Sequence, residues 1–151
     1  MTIKQQFAPI TRSLNAFVRS FDEDYSCALA PAFEADMTND IIFYSCFTTE
    51  ANNVAFREDF IRRFPACADF DIFTLSFCHE LGHLETEWDM IDDREQRKQI
   101  KDNKSYFALY NEQIATDWAG EYLTANHDAM KAWENKIIKK FQKTLDKILT
   151  E

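Results

Sequence analysis

Two histidines in the run His79-Glu80-Leu81-Gly82-His83 carry the chemistry that the sequence indicates most clearly. Positions four apart on a helix lie one turn above each other on the same face. Two neutral imidazoles at this spacing can bind one zinc ion, each at about 2.0 to 2.1 Å. Glu80 lies about 100° round the helix from the first histidine, where it can hydrogen-bond a water at the metal. The pattern favours two metal ligands, a general base and an open position for water, as a metallopeptidase needs.

An ordinary amphipathic helix with two solvated or hydrogen-bonded histidines is the alternative, because HExxH also arises by chance. The preceding residues 71–78 are mostly apolar and predict a helix, with Asp69 or Asp71 available as its cap. Gly82 inside this helix costs about 1 kcal/mol relative to Ala. A small residue there makes sense if another backbone comes close beside the metal. These features favour the metal site.

A catalytic zinc ion needs a third protein ligand, for which Glu112 is the strongest candidate. It lies in a predicted helix over residues 105–126, with Ala108, Ala115 and Ala119 on the same face. Small side chains would let two helices approach closely enough for this carboxylate to reach the metal. A surface glutamate beside incidental alanines is the alternative, and helix geometry alone leaves both open.

Other residues compete for a role at the metal. Asp89 follows His83 by six residues, where one class of zinc peptidases places a ligand, but Thr86 occupies the position at which that class needs glycine. His127 is the remaining histidine; we expect it to cap a helix, or to hydrogen-bond the oxyanion if it approaches the site. Cys78 could be a soft ligand or a redox handle, although a buried structural thiol is favoured.

Length and composition limit the class of protein. A chain of 151 residues with 46% apolar residues predicts a single domain, residues 1–151, that can bury a real core. The net charge of −9 disfavours direct binding to nucleic acid, which needs a basic stripe, and suits solubility or a basic protein surface. With two glycines in the chain, a phosphate-binding loop is disfavoured.

Targeting signals are not apparent in the sequence. The amino terminus lacks a signal-peptide core, and no stretch approaches 18 apolar residues, so we expect no membrane segment. The four cysteines form no CxxC pair and are expected to be reduced thiols. We therefore expect a cytoplasmic protein.

The elements that position the candidate ligands follow from the periodicity. Apolar residues recur at helical spacing over residues 10–21, and the β-branched and aromatic run 41–49 is the best strand. The mixed, acidic segment 22–40 predicts loops with room for a short strand. A short helix around Phe56 follows and ends before Pro65.

The second half of the chain is predicted to be helical apart from the charged run 89–104, which predicts a solvated linker or an exposed helix. In the helix over 105–126, one stripe consists of Phe107, Tyr110, Ile114, Trp118 and Tyr122. Asp128 can cap a last amphipathic helix over 128–150, whose apolar face consists of Met130, Trp133, Ile137, Phe141, Leu145 and Ile148. We expect this helix to pack on the core; a surface for a partner is the alternative. The predicted fold is a compact, zincin-like α+β domain, mainly helical with a small antiparallel sheet.

The HELGH motif and the later run Glu-Gln-Ile-Ala-Thr-Asp-Trp-Ala-Gly-Glu-Tyr-Leu (residues 112–123) together resemble the ImmA/IrrE family of small gluzincin-type zinc metallopeptidases. Members carry HELGH and then a helix reading E-x-x-A, Asn or Asp, any residue, an aromatic residue and Ala. The resemblance covers about residues 41–123. It implies that Glu112 is the third zinc ligand and that the substrate is a protein or peptide, such as a repressor or other regulator of a phage or mobile element.

This chain departs from the family pattern within that later helix and also just after the HELGH motif, where Glu85 and Thr86 are more polar than zincins usually show. Thr116 stands where members have Asn or Asp, and an acid appears one residue later as Asp117. Either side chain is a candidate for hydrogen-bonding a ligand histidine. Candidates for stabilising the oxyanion are Tyr110, Tyr106 and His127.

A non-catalytic interaction or immunity protein on the same scaffold is the competing hypothesis. Its contact surfaces would be the charged run 89–104 and the last helix, and its acidic charge would suit a basic partner. The intact Glu80 favours the enzyme, because a structural zinc site has no use for a base beside its ligands.

Overall fold

The structure is a computed structural model that describes residues 1–45, 50–89 and 109–150. Its helices are α1 (Ile3–Gln6), α2 (Ala8–Arg19), α3 (Glu50–Arg63), α4 (Ile72–Glu85), α5 (Tyr110–Ala125) and α6 (His127–Thr150). Its strands are β1 (Ser26–Leu29), β2 (Glu34–Asp36) and β3 (Ile41–Tyr44). Two 3₁₀ turns, Pro65–Cys67 and Glu87–Asp89, flank α4. The predicted class, a mainly helical α+β fold with a small sheet, is confirmed.

The sheet is mixed, whereas the sequence predicted an antiparallel one. Strand β3 lies at its centre, antiparallel to β2, with Ala35 opposite Ile42, and parallel to β1, with Cys27 opposite Ile42. The parallel pair arises because the chain returns through β2 on the far side of β3 before it enters β3. Pairing of this kind depends on the path of the connection, which the residue pattern does not reveal.

The strands are shorter than the predicted strand, and two of them lie in the segment predicted mainly as loops. Asp36 ends β2, and its carboxylate accepts hydrogen bonds from the backbone N–H groups of Thr38 and Asn39. Asp40 then adopts a left-handed conformation (φ 56°), which aspartate tolerates better than most residues. Of the predicted strand 41–49, the described part forms β3 up to Tyr44, and residues 46–49 lie outside the described residues.

Helix α4 carries the HELGH motif through the middle of the fold. The Asp71 side chain accepts a hydrogen bond from the Phe73 N–H and so caps the helix; the other predicted cap, Asp69, lies outside it. On one side, Phe77 and Leu81 pack in a cluster with α2, the sheet and α6. On another side, Leu75 and Cys78 pack in a second cluster with α3 and α5. Because neighbours cover it on several sides, nearly every residue of α4 from 73 to 84 is buried.

The last two helices agree with their predicted positions, with differences at their starts. The buried face of α5 contains Glu112, Ala115 and Ala119, which were predicted to lie on the face that approaches the motif helix. Residues 105–108 of the predicted helix lie outside the described residues. The amphipathic helix α6 packs on the core through its apolar face. It begins at His127, so Asp128 lies in its first turn and is not its cap. No described helix combines the length and apolar content needed to cross a membrane.

Candidate metal centre

Three side chains meet at a buried point between α4 and α5. The Nε2 atoms of His79 and His83 lie 2.9 and 2.8 Å from the same carboxylate oxygen, Oε2 of Glu112. The three ligand atoms lie within 4.8 Å of one another, and each residue is less than 10% exposed. This buried group of two imidazoles and one carboxylate could hold a metal ion.

A close helix contact brings the group together. His79 and His83 are one turn apart on α4, and their ring centroids are 4.8 Å apart. Between them, Gly82 lies against α5 so closely that a Cβ atom there would overlap the carbonyl oxygen of Ala115. Ala115 is one turn after Glu112, so the point of closest approach lies beside the carboxylate. The close backbone approach predicted for Gly82 is confirmed.

The carboxyl group of Glu112 is charged in this setting. Its burial raises the pKa, but hydrogen bonds and charge interactions with His79 and His83 outweigh burial and hold the pKa far below its usual range. Metal ions bind deprotonated carboxylates. The carboxylate is therefore already in the protonation state that metal binding requires.

Thr116 rather than Asp117 contacts a histidine of the group. The hydroxyl oxygen of Thr116 lies 2.9 Å from Nδ1 of His79, and a hydrogen bond there fixes the ring so that Nε2 points towards Glu112. Asp117 points elsewhere and pairs with Arg63 of α3. The sequence left these two candidates open, and the orientation of α5 decides between them.

The donor set fits a divalent metal ion such as zinc. Zinc takes imidazole nitrogen and carboxylate oxygen ligands, and three protein ligands leave a fourth position open. Tetrahedral coordination at about 2.0 to 2.1 Å places neighbouring ligand atoms about 3.4 Å apart. The present spacings of 2.8 and 2.9 Å are hydrogen-bond distances, so metal binding requires the carboxylate oxygen and each histidine nitrogen to separate by about half an ångström.

Glu80 lies next to His79 on α4 and is half-buried. The pKa of its carboxyl group is raised, mainly by burial. The nearby His79 and His83 lower this pKa, and the charges of Glu112 and Glu34 raise it further. Glu34 belongs to β2, which packs against α4. Glu80 is therefore close enough to the histidine pair and to Glu34 for their charges to act on its pKa.

The remaining candidates differ in position. Tyr110 starts α5, two residues before Glu112, and is 50% exposed, whereas Tyr106 lies outside the described residues. His127 hydrogen-bonds Asp69 and Asp128 and is not part of the metal-binding group.

Two further candidates from the sequence are not in the metal-binding group. Asp89 ends the 3₁₀ turn after α4 and does not join the three ligand residues. Cys78 is buried in the core, as the structural interpretation predicted, and burial raises the pKa of its thiol.

Two residues of α3 support the group and were not predicted. The Phe56 ring meets the His79 ring edge to face at 5.3 Å. Arg63 pairs with Asp117 and also donates a hydrogen bond to the backbone carbonyl of Gln113, 3.2 Å away. Arg63 therefore holds α5 at two points in the turn that follows Glu112. No sequence signal indicates these contacts, because the partners lie in different helices and, for Arg63, are 50 or more residues apart.

Comparisons with known proteins identify no relative of this chain. No protein-family model, curated protein or solved structure matches the chain. The resemblance to the ImmA/IrrE family therefore rests on the motif and on residues 112–123, and the functional inference rests on the geometry of the metal-binding group.

Proposed function

We propose that the protein is a zinc-dependent metallopeptidase that cleaves a protein or peptide substrate. The observation that carries this proposal is the buried group of His79, His83 and Glu112 with Glu80 beside it. Structural zinc sites usually have four protein ligands and no adjacent base. Three ligands and a neighbouring carboxylate instead suit hydrolysis.

Each residue of the group has a role in the proposed reaction. When bound, zinc would polarise the peptide carbonyl and lower the pKa of the attacking water to about 7. Glu80 would take the proton of that water and pass it to the leaving amine. Thr116 would keep His79 oriented as a ligand. Tyr110, which starts α5 two residues before Glu112 and is half exposed, is the described candidate for donating a hydrogen bond to the oxyanion.

The edge of the sheet offers a place for the substrate backbone. Within the described residues, β2 pairs with β3 alone, so its outer edge can accept an extended peptide as a further strand. Because β2 packs against α4 and its Glu34 acts on Glu80, a peptide added there would run close to the proposed base.

The proposed biological substrate follows the family resemblance alone. This substrate would be a repressor or another regulator of a phage or mobile element, and its cleavage would take place in the cytoplasm. This step is an analogy between motifs, because the same fold can serve different functions.

The substitution Glu80→Gln tests the proposed mechanism. The variant should bind zinc like the wild type but lose at least about a hundredfold in cleavage rate, since an amide cannot accept the proton. Cleavage of a proteome-derived peptide library by zinc-loaded protein, read by mass spectrometry, measures the rate. Glu121→Gln makes the same change at an exposed site on α5 and should be neutral.

Two results would contradict the proposal. Equal cleavage by Glu80→Gln would remove this residue as the base. A zinc-loaded wild type that cleaves no peptide in the library would favour the non-catalytic interaction protein instead.

A further inference from the structure

A pocket of about 240 Å³ lies between α4, α6 and the segment that precedes β2. Its wall is mainly apolar and is formed by Phe33, Ile72, Phe73, Ile138, Phe141 and Leu145. Ser76 and Gln142 are among its polar lining residues. The three metal-binding residues do not line it, so it is a separate cavity.

The pocket and the metal-binding group share one face of α4. Helical positions advance by about 100° each, so Glu80 lies about 40° round the helix from Ser76 and one turn further along. The two histidines and the two other α4 residues that line the pocket all lie within about 60° of Ser76. A ligand lying along this face would therefore pass from the metal-binding group to the pocket without going round the helix.

The separation corresponds to a short stretch of peptide. At a rise of about 1.5 Å per residue, Ser76 and Glu80 are about 6 Å apart along the axis. The midpoint of the pocket residues on α4 is about 11 Å from the midpoint of the two histidines by the same rise. An extended chain advances about 3.3 Å per residue, so these distances span two or three residues.

Strand β2, which packs against α4, adjoins both the pocket and the proposed base Glu80. Phe33 lines the pocket and directly precedes Glu34, the first residue of β2. Its ring lies 5.6 Å from the ring of Phe73 on α4. A peptide paired with the outer edge of β2 would thus have the pocket within reach of one of its side chains.

The size of the pocket suits a single side chain. An apolar cavity of about 150 Å³ can bind benzene, so 240 Å³ has room for an aromatic ring or a large aliphatic group. Sites for whole small molecules are usually larger, at about 300 to 1,000 Å³.

We propose that this pocket binds a large apolar side chain, preferably an aromatic one, of a peptide substrate. This inference rests on the proposed peptidase function. The side chain belongs to a residue two or three positions from the bond that is cleaved. The pocket therefore sets the sequence preference of the enzyme.

Binding to the pocket is measurable without turnover. Titration of N-acetyl-L-phenylalaninamide into methyl-labelled protein should shift the NMR signals of Ile138 and Leu145, with a Kd of about 1 to 10 mM. N-acetylglycinamide, which lacks the side chain, should not shift them. The Kd should be the same in zinc-free and zinc-loaded protein, because the pocket contains no metal ligand.

A matched pair of variants on α6 gives the control. Gln142→Trp places a large ring at an exposed lining position and should weaken probe binding at least about tenfold. Asn135→Trp makes a similar change at an exposed position two turns earlier that does not line the pocket, and should leave binding unchanged. If Gln142→Trp does not fold, Ile138→Trp blocks the same space. Absence of shifts in the wild type, or equal weakening by both tryptophan variants, would overturn the proposal.

Cleavage mapping then separates this inference from the proposed function. Peptides cut by the zinc-loaded wild type should have large apolar residues enriched at one position, two or three residues from the bond. Gln142→Trp should lose this enrichment, whereas Asn135→Trp should keep it. Cleavage without any positional preference would overturn the inference and leave the peptidase standing. Probe binding without cleavage would overturn both the peptidase and the assignment of the pocket to its substrate.

Discussion

At the scale of single residues, the orientation of one imidazole decides how well the group can bind a metal. A histidine ligand presents one ring nitrogen to the metal and needs a partner for the other. For His79 this partner is the hydroxyl of Thr116, at 2.9 Å. A hydroxyl fixes the ring as a carboxylate would, but without adding negative charge. Thr116 therefore orients His79 as a ligand without making its imidazole much more basic.

Substitution of Thr116 tests this role. Thr116→Val keeps the shape of the side chain but removes the hydrogen bond, so zinc affinity should fall about 10- to 100-fold. Thr116→Ser retains the hydroxyl and should bind zinc nearly as the wild type does. Competition with a chromophoric chelator measures the affinities. Equal affinities of the valine and serine variants would show that the hydroxyl does not matter.

At the scale of elements, the contact between α4 and α5 builds the group. The carboxylate of Glu112 reaches the histidines because Gly82 lets the backbone of Ala115 come close. Such an approach cannot yield easily, since the opposing atom belongs to the backbone of a packed helix. The other glycine, Gly120, lies against the ring of Phe64 and not against a backbone, about two turns beyond Glu112.

The two glycines give a matched pair of substitutions. Gly82→Ala should lower the free energy of unfolding by about 1 to 3 kcal/mol through overpacking, although alanine is the better helix former. It should also weaken zinc binding, because it pushes the carboxylate of α5 away from the histidines. Gly120→Ala should leave zinc binding intact. Chemical denaturation and zinc titration measure both effects, and normal zinc affinity in Gly82→Ala would contradict this explanation.

Sequence patterns predict the helices of this fold better than its sheet. The regular apolar spacing of Ile10, Leu14 and Phe17 predicts α2, and similar spacing predicts α6. Strands β1 and β2 have only four and three residues, too few for alternation to stand out. The parallel pairing of β1 with β3 depends on the route of the chain and leaves no local signal.

At the candidate site too, positions within one helix are predicted from the sequence better than contacts between distant segments. Spacing within one helix predicts that His79 and His83 meet, while the prediction of Glu112 as third ligand rests also on a family resemblance. Whether Thr116 or Asp117 faces a histidine depends on a rotation of about 100° of a helix that is distant in sequence. That rotation is fixed by packing and could not be predicted from the pattern alone.

At the scale of the whole molecule, α6 holds the start of the motif helix in place. Glu134 is 2% exposed, and its carboxylate accepts hydrogen bonds from the backbone N–H of Asp71 and the hydroxyl of Thr74. Lys131 neutralises it at 2.7 Å. At the start of α6, His127 adds an exposed link to Asp69 in the segment before α4. The carboxyl-terminal helix thus contributes to the position of the metal-binding helix.

The link through His127 should make stability depend on pH. Its hydrogen bonds to Asp128 and Asp69 raise the pKa of the imidazole above its ordinary value. A raised pKa means that the stabilisation is complete below the unfolded value of about 6.5 and is lost as the pH rises through the folded value. His127→Gln should therefore lower the Tm at pH 6 and have little effect at pH 9. Thermal unfolding of zinc-free protein tests this, and an equal loss at both pH values would contradict it.

The central claim is that His79, His83 and Glu112 together bind one metal ion. Metal analysis of purified protein by mass spectrometry, after zinc loading and removal of excess metal, tests it most directly, with circular dichroism to check folding. We expect about one zinc ion per chain in the wild type and in Asp89→Ala, and far less in Glu112→Ala, because a third ligand is needed to hold the ion. Full zinc content in a folded Glu112→Ala variant, with loss in Asp89→Ala, would contradict the claim.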